Sequence, residues 1–203
     1  MKLYGMRVSG NCWKAAQILA LTGHAAELIE TDANTGATRT AEFLAINPAG
    51  KVPVLVLDDG AVLTESNAIL LHFAEGTSWL PAPGLARTRV HEWLFFEQYS
   101  HEPYIAVARN LISWRREAHL HAARLAECAT RGAHALDVME RRLSGAAWLA
   151  GDAPTVADLA LFAYTHRADE GGFELARWPG VQAWVDRVAG LPGLWTLPRA
   201  STV

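Results

Sequence analysis

Residues 76–85 divide the chain into two parts with different patterns, and this division constrains the fold more than any other feature. The segment is rich in glycine and proline, at Gly76, Pro81, Pro83 and Gly84, which is typical of a linker. Before it, short strand and helix patterns alternate, whereas after it only long helical periods occur. We therefore predict three parts: an α/β domain over 1–76, a linker over 77–85 and an all-helical domain over 86–203.

The first part has the element order of a thioredoxin-like domain with a mixed four-stranded sheet. The pattern predicts strands over 2–6, 26–30, 54–57 and 61–63, and helices over 11–22, 38–45 and 66–75. Residues 54–57 are all apolar, which is typical of a strand covered on both faces. Asp59 and Gly60 follow this run and predict a hairpin turn.

The second part shows helical periodicity throughout. It predicts helices over 86–110 with a bend near Pro103, from 113 or 117 to 143, over 155–164 and over 179–189. Thr155 and Asp158 have the spacing of a capping box, in which each side chain bonds a free backbone N–H at the helix start. We interpret this pair as structural.

Composition excludes several classes of function. The 203 residues are 51% apolar and carry a net charge of −3 without a basic stripe, so a nucleic-acid surface is not expected. No apolar run is long enough for a membrane span, and the N-terminus lacks the form of a signal peptide, which favours the cytoplasm. Cys12 and Cys128 are the two cysteines, and no zinc-type spacing occurs, so no metal is predicted.

Val52 and Pro53 immediately precede the apolar strand, and they give the sharpest local signal. Proline cannot donate to a sheet ladder, so at this position it often marks a special turn. A cis bond there would turn the Val52 N–H and carbonyl outward, towards an extended ligand backbone. The alternative is a trans proline that only begins the strand.

Glu65 and Ser66 lie where a strand passes into a helix, and they predict a binding site for an α-amino acid group. Ser66 is a favourable N-cap residue. Its hydroxyl and the first free N–H groups suit a ligand carboxylate, because the helix N-terminus is positive. Glu65 would then hold an ammonium group. An ordinary helix cap beside a solvated glutamate is the alternative.

Residues 9–12, Ser-Gly-Asn-Cys, end the first strand and open the first helix. A Ser9 hydroxyl at this point could donate a hydrogen bond to a bound thiolate, assisted by the helix N-terminus. In a second interpretation Cys12 is itself a nucleophile with a lowered pKa. A third makes Cys12 a buried core residue and Ser9 or Asn11 a helix cap.

These segments together resemble the cytosolic-type glutathione S-transferases over essentially the full chain. The matching residues are 9–13, 47–53, 65–69 and 155–158, and the pattern is similar to bacterial serine-type enzymes near the theta and phi groups. The resemblance implies that Ser9 bonds the glutathione sulfur, with Asn11 and Cys12 as alternatives. It also implies a homodimer, and glutathione as co-substrate with no other cofactor.

The resemblance further assigns residues to the parts of glutathione. Val52, before a cis Pro53, would pair with the cysteinyl backbone. Glu65 and Ser66 would hold the γ-glutamyl group. Lys51, and less directly Arg39, would face the glycyl carboxylate.

The second substrate would be an apolar electrophile bound between the two domains. His101 and Tyr104 recur at helical spacing and are candidates for this pocket, together with Met6 and Trp114. Two other functions stay open. One is a thiol-disulfide oxidoreductase that uses Cys12, and the other is a non-catalytic binding or assembly module with the same fold.

Overall fold

Among residues 1–200, which the computed structural model describes, four short strands form one mixed sheet. The strands are β1 (Lys2–Gly5), β2 (Glu27–Glu30), β3 (Val54–Val56) and β4 (Val62–Thr64). Their order is β2-β1-β3-β4, with β1 parallel to β2 and antiparallel to β3, and with β3 antiparallel to β4. The thioredoxin-like sheet predicted from the sequence is confirmed.

The centre of the sheet explains the apolar run at 54–57. Leu55 lies opposite Leu3 of β1 on one side and Leu63 of β4 on the other, and it is fully buried. A strand between two neighbours and beneath helices has no face exposed to water, so both alternating positions are apolar. Gly60 has a φ of 87° and donates its N–H to the Leu57 carbonyl at 3.0 Å, as expected of the predicted hairpin turn.

Three helices accompany the sheet: α1 (Gly10–Leu21), α2 (Ala41–Ile46) and α3 (Ser66–Ala74). The predicted helix over 38–45 begins later than expected. The Thr40 hydroxyl accepts the Phe43 N–H at 3.2 Å and caps α2 at that point, while a 3₁₀ turn occupies Ala37–Arg39. Residues 75–84 contain neither helix nor strand and join α3 to the helical part.

The rest of the described chain is helical. It contains α4 (Leu85–Phe96), α5 (Glu102–Arg109), α6 (Ala122–Leu143), α7 (Val156–Thr165) and α8 (Pro179–Ala189). Two wide π-helical turns, Glu97–His101 and Asn110–Trp114, follow α4 and α5, so one helical run extends from 85 to 114. The distortion predicted at Pro103 therefore lies mainly in the turn before it. Helix α6 begins later than predicted, because residues 115–121 form a separate turn.

Helix α7 is buried along its whole length and packs against α1 and α3. The predicted capping box of Thr155 and Asp158 is present. The Asp158 carboxylate also accepts the Leu149 N–H at 3.1 Å and the Trp184 indole N–H at 2.9 Å. Thr155 and Asp158 thus fix the start of α7, the helix that packs against the sheet domain. Within residues 1–200, none of the helices combines the length and the hydropathy that crossing a bilayer requires.

Candidate active site

A cleft of about 380 Å³ lies where the sheet domain meets the helical run after α4. It brings together predicted residues from three separate segments, Ser9, Asn11, Lys51, Val52, Pro53, Glu65 and Ser66, and also Arg39, which lies outside those segments. The cleft is lined by the residues after β1, the N-terminus of α1, the turn before β3 and the N-terminus of α3. Two residues of the helical part, Gln98 and Glu102, form the opposite wall.

The turn before β3 presents an unpaired piece of backbone to the cleft. The Val52-Pro53 peptide bond is cis. The buried Asn47 side chain donates to the Lys51 carbonyl at 2.8 Å and accepts the Ala49 N–H at 3.1 Å, which holds the turn in place. Among residues 1–200 the Val52 N–H and carbonyl have no hydrogen-bond partner. They are available to an extended peptide-like ligand.

The start of α3 differs from the prediction in one respect. Glu65, not Ser66, occupies the N-cap position, and its φ of 65° lies in the left-handed region. For a residue with a side chain this conformation costs about 1–3 kcal/mol and occurs often at binding sites. Ser66 is the first helical residue, and its hydroxyl donates to Asn11 Oδ1 at 3.2 Å. Within the described chain the Ser66 N–H has no partner, and it belongs to a positive helix end that lines the cleft.

Asn11 joins the two domains at the bottom of the cleft. Its Nδ2 donates to Glu102 Oε1 at 3.2 Å, while its Oδ1 accepts from Ser66. Its backbone N–H donates to the Tyr164 hydroxyl at 3.3 Å. Burial raises the pKa of the Glu102 carboxyl, and the charge of Lys14 opposes that shift. The hydrogen bonds to Ser66 and to Glu102 fix the orientation of the Asn11 amide.

Ser9 caps α1 and faces the cleft. Its Oγ accepts the Cys12 N–H at 3.3 Å, and this bond leaves the hydroxyl proton for another acceptor. The Tyr164 phenol lies beside it: burial raises the pKa of Tyr164, and the Ser9 hydroxyl opposes that rise. A hydroxyl donor at a helix N-terminus is suited to stabilise an anion.

A second, smaller cavity of about 130 Å³ adjoins the cleft at Ser9. Met6 and Trp114, two of the residues predicted for an electrophile pocket, line it together with Tyr164 and Arg109. The position of the cavity beside Ser9 would place a small reactant next to a group bound at that hydroxyl.

Comparison with known proteins decides the family. The family model described as the glutathione S-transferase N-terminal domain matches residues 3–78, and that of the C-terminal domain matches residues 122–187. The chain belongs to the glutathione S-transferase family. It is similar to a crystal structure of a glutathione S-transferase from Xanthobacter autotrophicus Py2, with 71% identity and a TM-score of 0.97 over 99% of this chain and 98% of that one.

Two further relatives extend the comparison. Glutathione S-transferase 3 of Zea mays is 36% identical over 95% of this chain and 90% of its own length. A structure of Ure2p in complex with glutathione is 28% identical, with a TM-score of 0.82 over 95% of this chain and 90% of that one. The fold and the enzyme class predicted from the sequence, glutathione transferase, are confirmed.

In this glutathione S-transferase Cys12 does not have the properties of an activated thiol. Its side chain is 3% exposed and lines a separate cavity with Trp13 and Trp195, and not the cleft. Burial raises the pKa of the Cys12 thiol to about 11, although the Ser9 hydroxyl and the Met6 N–H, 3.3 Å from Sγ, act in the opposite direction. The structure therefore opposes the interpretation of Cys12 as a thiolate nucleophile.

The structure also corrects two residues of the predicted electrophile pocket. His101 is completely buried and its Nε2 lies 2.8 Å from the Thr165 hydroxyl, so it cannot line an open pocket. The Tyr104 ring faces α6, where the guanidinium groups of Arg124 and Arg131 lie 5.5 and 5.6 Å from its centroid. His101 faces α7 and Tyr104 faces α6, so neither residue reaches the cleft.

Three residues that bond α1 or the loop before it near the site were not predicted from the sequence: Glu102, Arg109 and Tyr164. Each belongs to the helical part and approaches the N-terminus of α1 from outside the sheet domain. Gly10 gives the only sequence signal for such an approach, because a Cβ there would lie 2.7 Å from the Tyr164 ring. No local pattern marks Glu102 or Arg109 as part of the site.

Proposed function

We propose that the protein binds glutathione in the cleft, favours its thiolate and transfers it to a small electrophile. One observation carries this proposal. A hydroxyl at a helix N-terminus (Ser9), an unpaired backbone unit (Val52) and a second open helix N-terminus (Ser66) line the same cleft. A tripeptide with a central thiol and carboxylates at its ends matches these three groups.

Ser9 is the residue that we assign to the sulfur, as in the serine-type enzymes. A charge-assisted hydrogen bond contributes about 1.5–3 kcal/mol, and the helix N-terminus adds about 0.3–1 kcal/mol. Since one pKa unit corresponds to about 1.4 kcal/mol, these two contributions lower the pKa of a bound thiol by roughly one to three units. Asn11 is the alternative, because its Nδ2 has a second hydrogen beyond the one given to Glu102.

The remaining groups suit the two ends of the peptide. Val52 pairs with the cysteinyl backbone, and the α3 N-terminus with Glu65 and Ser66 holds the γ-glutamyl group. Lys51 is exposed at the cleft and faces the glycyl carboxylate. Arg39 lies beside it, with Nη1 3.5 Å from the Ala49 carbonyl.

The electrophile occupies the smaller cavity beside Ser9, against Met6 and Trp114. There the sulfur and the electrophile are held next to each other, and much of the acceleration comes from this placement. The proposal includes detoxification of such electrophiles in the cytoplasm, with no cofactor other than glutathione as co-substrate.

We also propose that the protein is a homodimer. Phe95 and Tyr99 lie on one face of the helical run and are 74% and 83% exposed. Large aromatic side chains this exposed are unusual on a monomer surface and are typical of interfaces.

Calorimetric titration with glutathione, followed by ultraviolet detection of bound thiolate across pH, tests the proposed function. Ser9→Ala should lower turnover about 10–100-fold and raise the pH at which the bound thiol ionises, whereas Ser9→Thr should retain both. Ser144→Ala removes an exposed hydroxyl that bonds Glu140, outside the cleft, and is the matched control. An unchanged ionisation curve in Ser9→Ala together with a shifted curve in Asn11→Ala would assign activation to Asn11. Failure of glutathione to bind would refute the proposal.

A further inference from the structure

A third cavity, of about 370 Å³, lies beside α1 and is nearly as large as the cleft of about 380 Å³. β1, β2 and α1 form one side of it, and the C-terminal segment after α8 forms the other. Its lining residues are Leu3, Met6, Arg7, Cys12, Trp13, Ala16, Leu28, Trp195 and Pro198. It shares Met6 with the cleft but is lined by none of the residues that we assign to glutathione. The cavity is therefore separate from the proposed glutathione site.

The wall formed by the C-terminal segment is fixed through its backbone. The Trp195 carbonyl accepts the Trp13 indole N–H at 2.8 Å, and the Trp195 N–H donates to Gln17 Oε1 at 3.0 Å. Gln17 is fully buried and also donates from Nε2 to the Gly193 carbonyl at 2.9 Å. The Trp195 side chain takes no part in these bonds, and the residue is 42% exposed. The Trp195 indole is thus available to a ligand while the backbone keeps the shape of the cavity.

The residue types in the lining define the chemistry of a ligand. Apart from Arg7 and the Cys12 thiol, the lining residues are apolar, and two of them are tryptophans. Cys12 is uncharged at neutral pH, because burial raises its pKa to about 11. Apolar walls with few polar groups are typical of small-molecule sites of this size. Two indoles favour a flat aromatic ligand, since aromatic rings attract one another when stacked or edge to face.

Arg7 is the charged member of this lining. Its side chain is 73% exposed, and its Nε lies 3.5 Å from Glu30 Oε2. An exposed ion pair contributes little free energy, so a bound anion can compete for the guanidinium. A guanidinium can hold a carboxylate through two parallel hydrogen bonds. The cavity therefore favours an aromatic body that carries a carboxylate.

We propose that this cavity is a second ligand site, which binds a small aromatic carboxylate with its ring against Trp13 and Trp195 and its carboxylate at Arg7. This inference goes beyond the proposed function and does not depend on it. Met6 and Arg7 belong to the loop that leads to Ser9, so a ligand in this site contacts the loop that also lines the cleft.

Calorimetric titration of the full chain with 2-naphthoate tests the site, and uncharged 2-naphthamide is the matched probe. The wild-type protein should bind 2-naphthoate with a Kd of roughly 0.01–1 mM, as expected for a ligand of about 13 non-hydrogen atoms. Saturating glutathione should leave this Kd unchanged. Absence of saturable binding, or loss of binding in the presence of glutathione, would overturn the proposal.

Arg7→Gln tests the role of the charge. The affinity for 2-naphthoate should fall about fivefold, whereas the affinity for 2-naphthamide should not change. Arg89→Gln is the matched control, because Arg89 is an exposed arginine on α4 that pairs with Glu92. It should bind both probes as the wild type does. An unchanged affinity of Arg7→Gln for 2-naphthoate would contradict the assignment of the carboxylate to Arg7.

Ala16→Phe tests the position of the ligand, because the added ring would fill part of the cavity from α1. It should weaken the binding of both probes about tenfold or more. Ala123→Phe makes the same change at an exposed position on α6 and should have no effect. Trp195→Ala removes one aromatic wall but keeps the backbone bonds of the segment, and it should weaken both probes about fivefold. Wild-type affinity in Ala16→Phe and Trp195→Ala would place the probes elsewhere and refute the site.

Discussion

Arg109 donates a hydrogen bond from Nη1 to the backbone carbonyl of Val8 at 2.9 Å, and so joins α5 to the residue before Ser9. The same guanidinium pairs with Glu170 through Nε at 2.6 Å, and both side chains are nearly inaccessible to water. Its Nη2 also donates to the Pro198 carbonyl at 3.3 Å. One buried cation thus connects the helical domain, the C-terminal segment and the loop that carries Ser9.

Arg109→Met should reduce the free energy of unfolding by about 3–5 kcal/mol, because the buried Glu170 carboxylate would lose its close partner and keep only the Arg199 guanidinium at 3.9 Å. Urea denaturation measures this change. Arg89→Met removes an exposed ion pair with Glu92 and should cost less than about 1 kcal/mol. Equal losses in the two variants would contradict the role assigned to burial.

Gly10→Ala should destabilise the protein by about 1–3 kcal/mol through overpacking. A Cβ at this position would lie 2.7–2.9 Å from three atoms of the Tyr164 ring. The ring must move, and its hydroxyl then loses the Asn11 N–H, so turnover should fall as well. Gly145→Ala is the control, because a Cβ there meets no atom within 4 Å. Chemical denaturation and steady-state assays measure both effects, and wild-type behaviour of Gly10→Ala would be inconsistent with this packing.

Cys12→Ala should leave transferase turnover unchanged, because the thiol is buried and protonated at neutral pH. In a Cys128→Ala background, the reaction of Cys12 with a disulfide reagent should be slow at neutral pH and should accelerate up to about pH 11. The pKa of Cys12 rises from 9.0 in the unfolded chain to about 11 in the fold. Between these values the folded chain binds more protons than the unfolded chain, so the free energy of unfolding decreases as the pH rises from 9 to 11. Loss of activity in Cys12→Ala, with a trapped mixed disulfide of glutathione, would instead support the oxidoreductase.

Acid should weaken the attachment of the C-terminal segment through His166. Its Nε2 accepts the Leu197 N–H at 2.9 Å and its Nδ1 lies 2.6 Å from the Phe162 carbonyl, so the neutral ring is required. Burial lowers the pKa of His166 from 6.5 to about 4. Between these values the unfolded chain binds more protons, so this contribution is complete above pH 6.5 and is lost as the pH falls through 4.

Denaturation of His166→Gln across this pH range tests that expectation. The variant keeps an acceptor near the Leu197 N–H but does not titrate, so its stability should fall less steeply than that of the wild type. His119→Gln, at an exposed position, should keep the wild-type pH dependence. Parallel curves for all three proteins would rule out the contribution of His166.

Sedimentation tests the proposed dimer. The wild-type protein should sediment at twice the mass of the 22.1 kDa chain. Replacing both Phe95 and Tyr99 by Glu should give a folded monomer, because charges cannot be buried there without partners. Leu120→Glu, at another exposed apolar residue, should remain dimeric. A monomeric wild type would overturn the proposal.

The sequence predicted a structural element well where that element depends on residues close to one another in the chain. Gly60 requires a positive φ, Thr155 and Asp158 bond groups within one turn, and residues 54–56 form the expected buried strand. Each of these features is determined by interactions among a few consecutive residues, so the local sequence is enough to predict it. Boundaries were less accurate: Ser66 was predicted as the N-cap of α3, but Glu65 takes that position and the Ser66 hydroxyl bonds the distant Asn11.

The sequence by itself determined the order of strands and helices, the division near residue 76 and the three segments that line the cleft, because turns, caps and apolar periods are local properties. Only the tertiary structure decided which side chains of those segments meet. The packing of the helical domain against the sheet domain placed Glu102 beside Asn11 and left His101 without access to the cleft, while Cys12 is buried between the sheet and the C-terminal segment. Such contacts depend on how whole helices are rotated against one another, and no pattern within a single segment encodes that rotation.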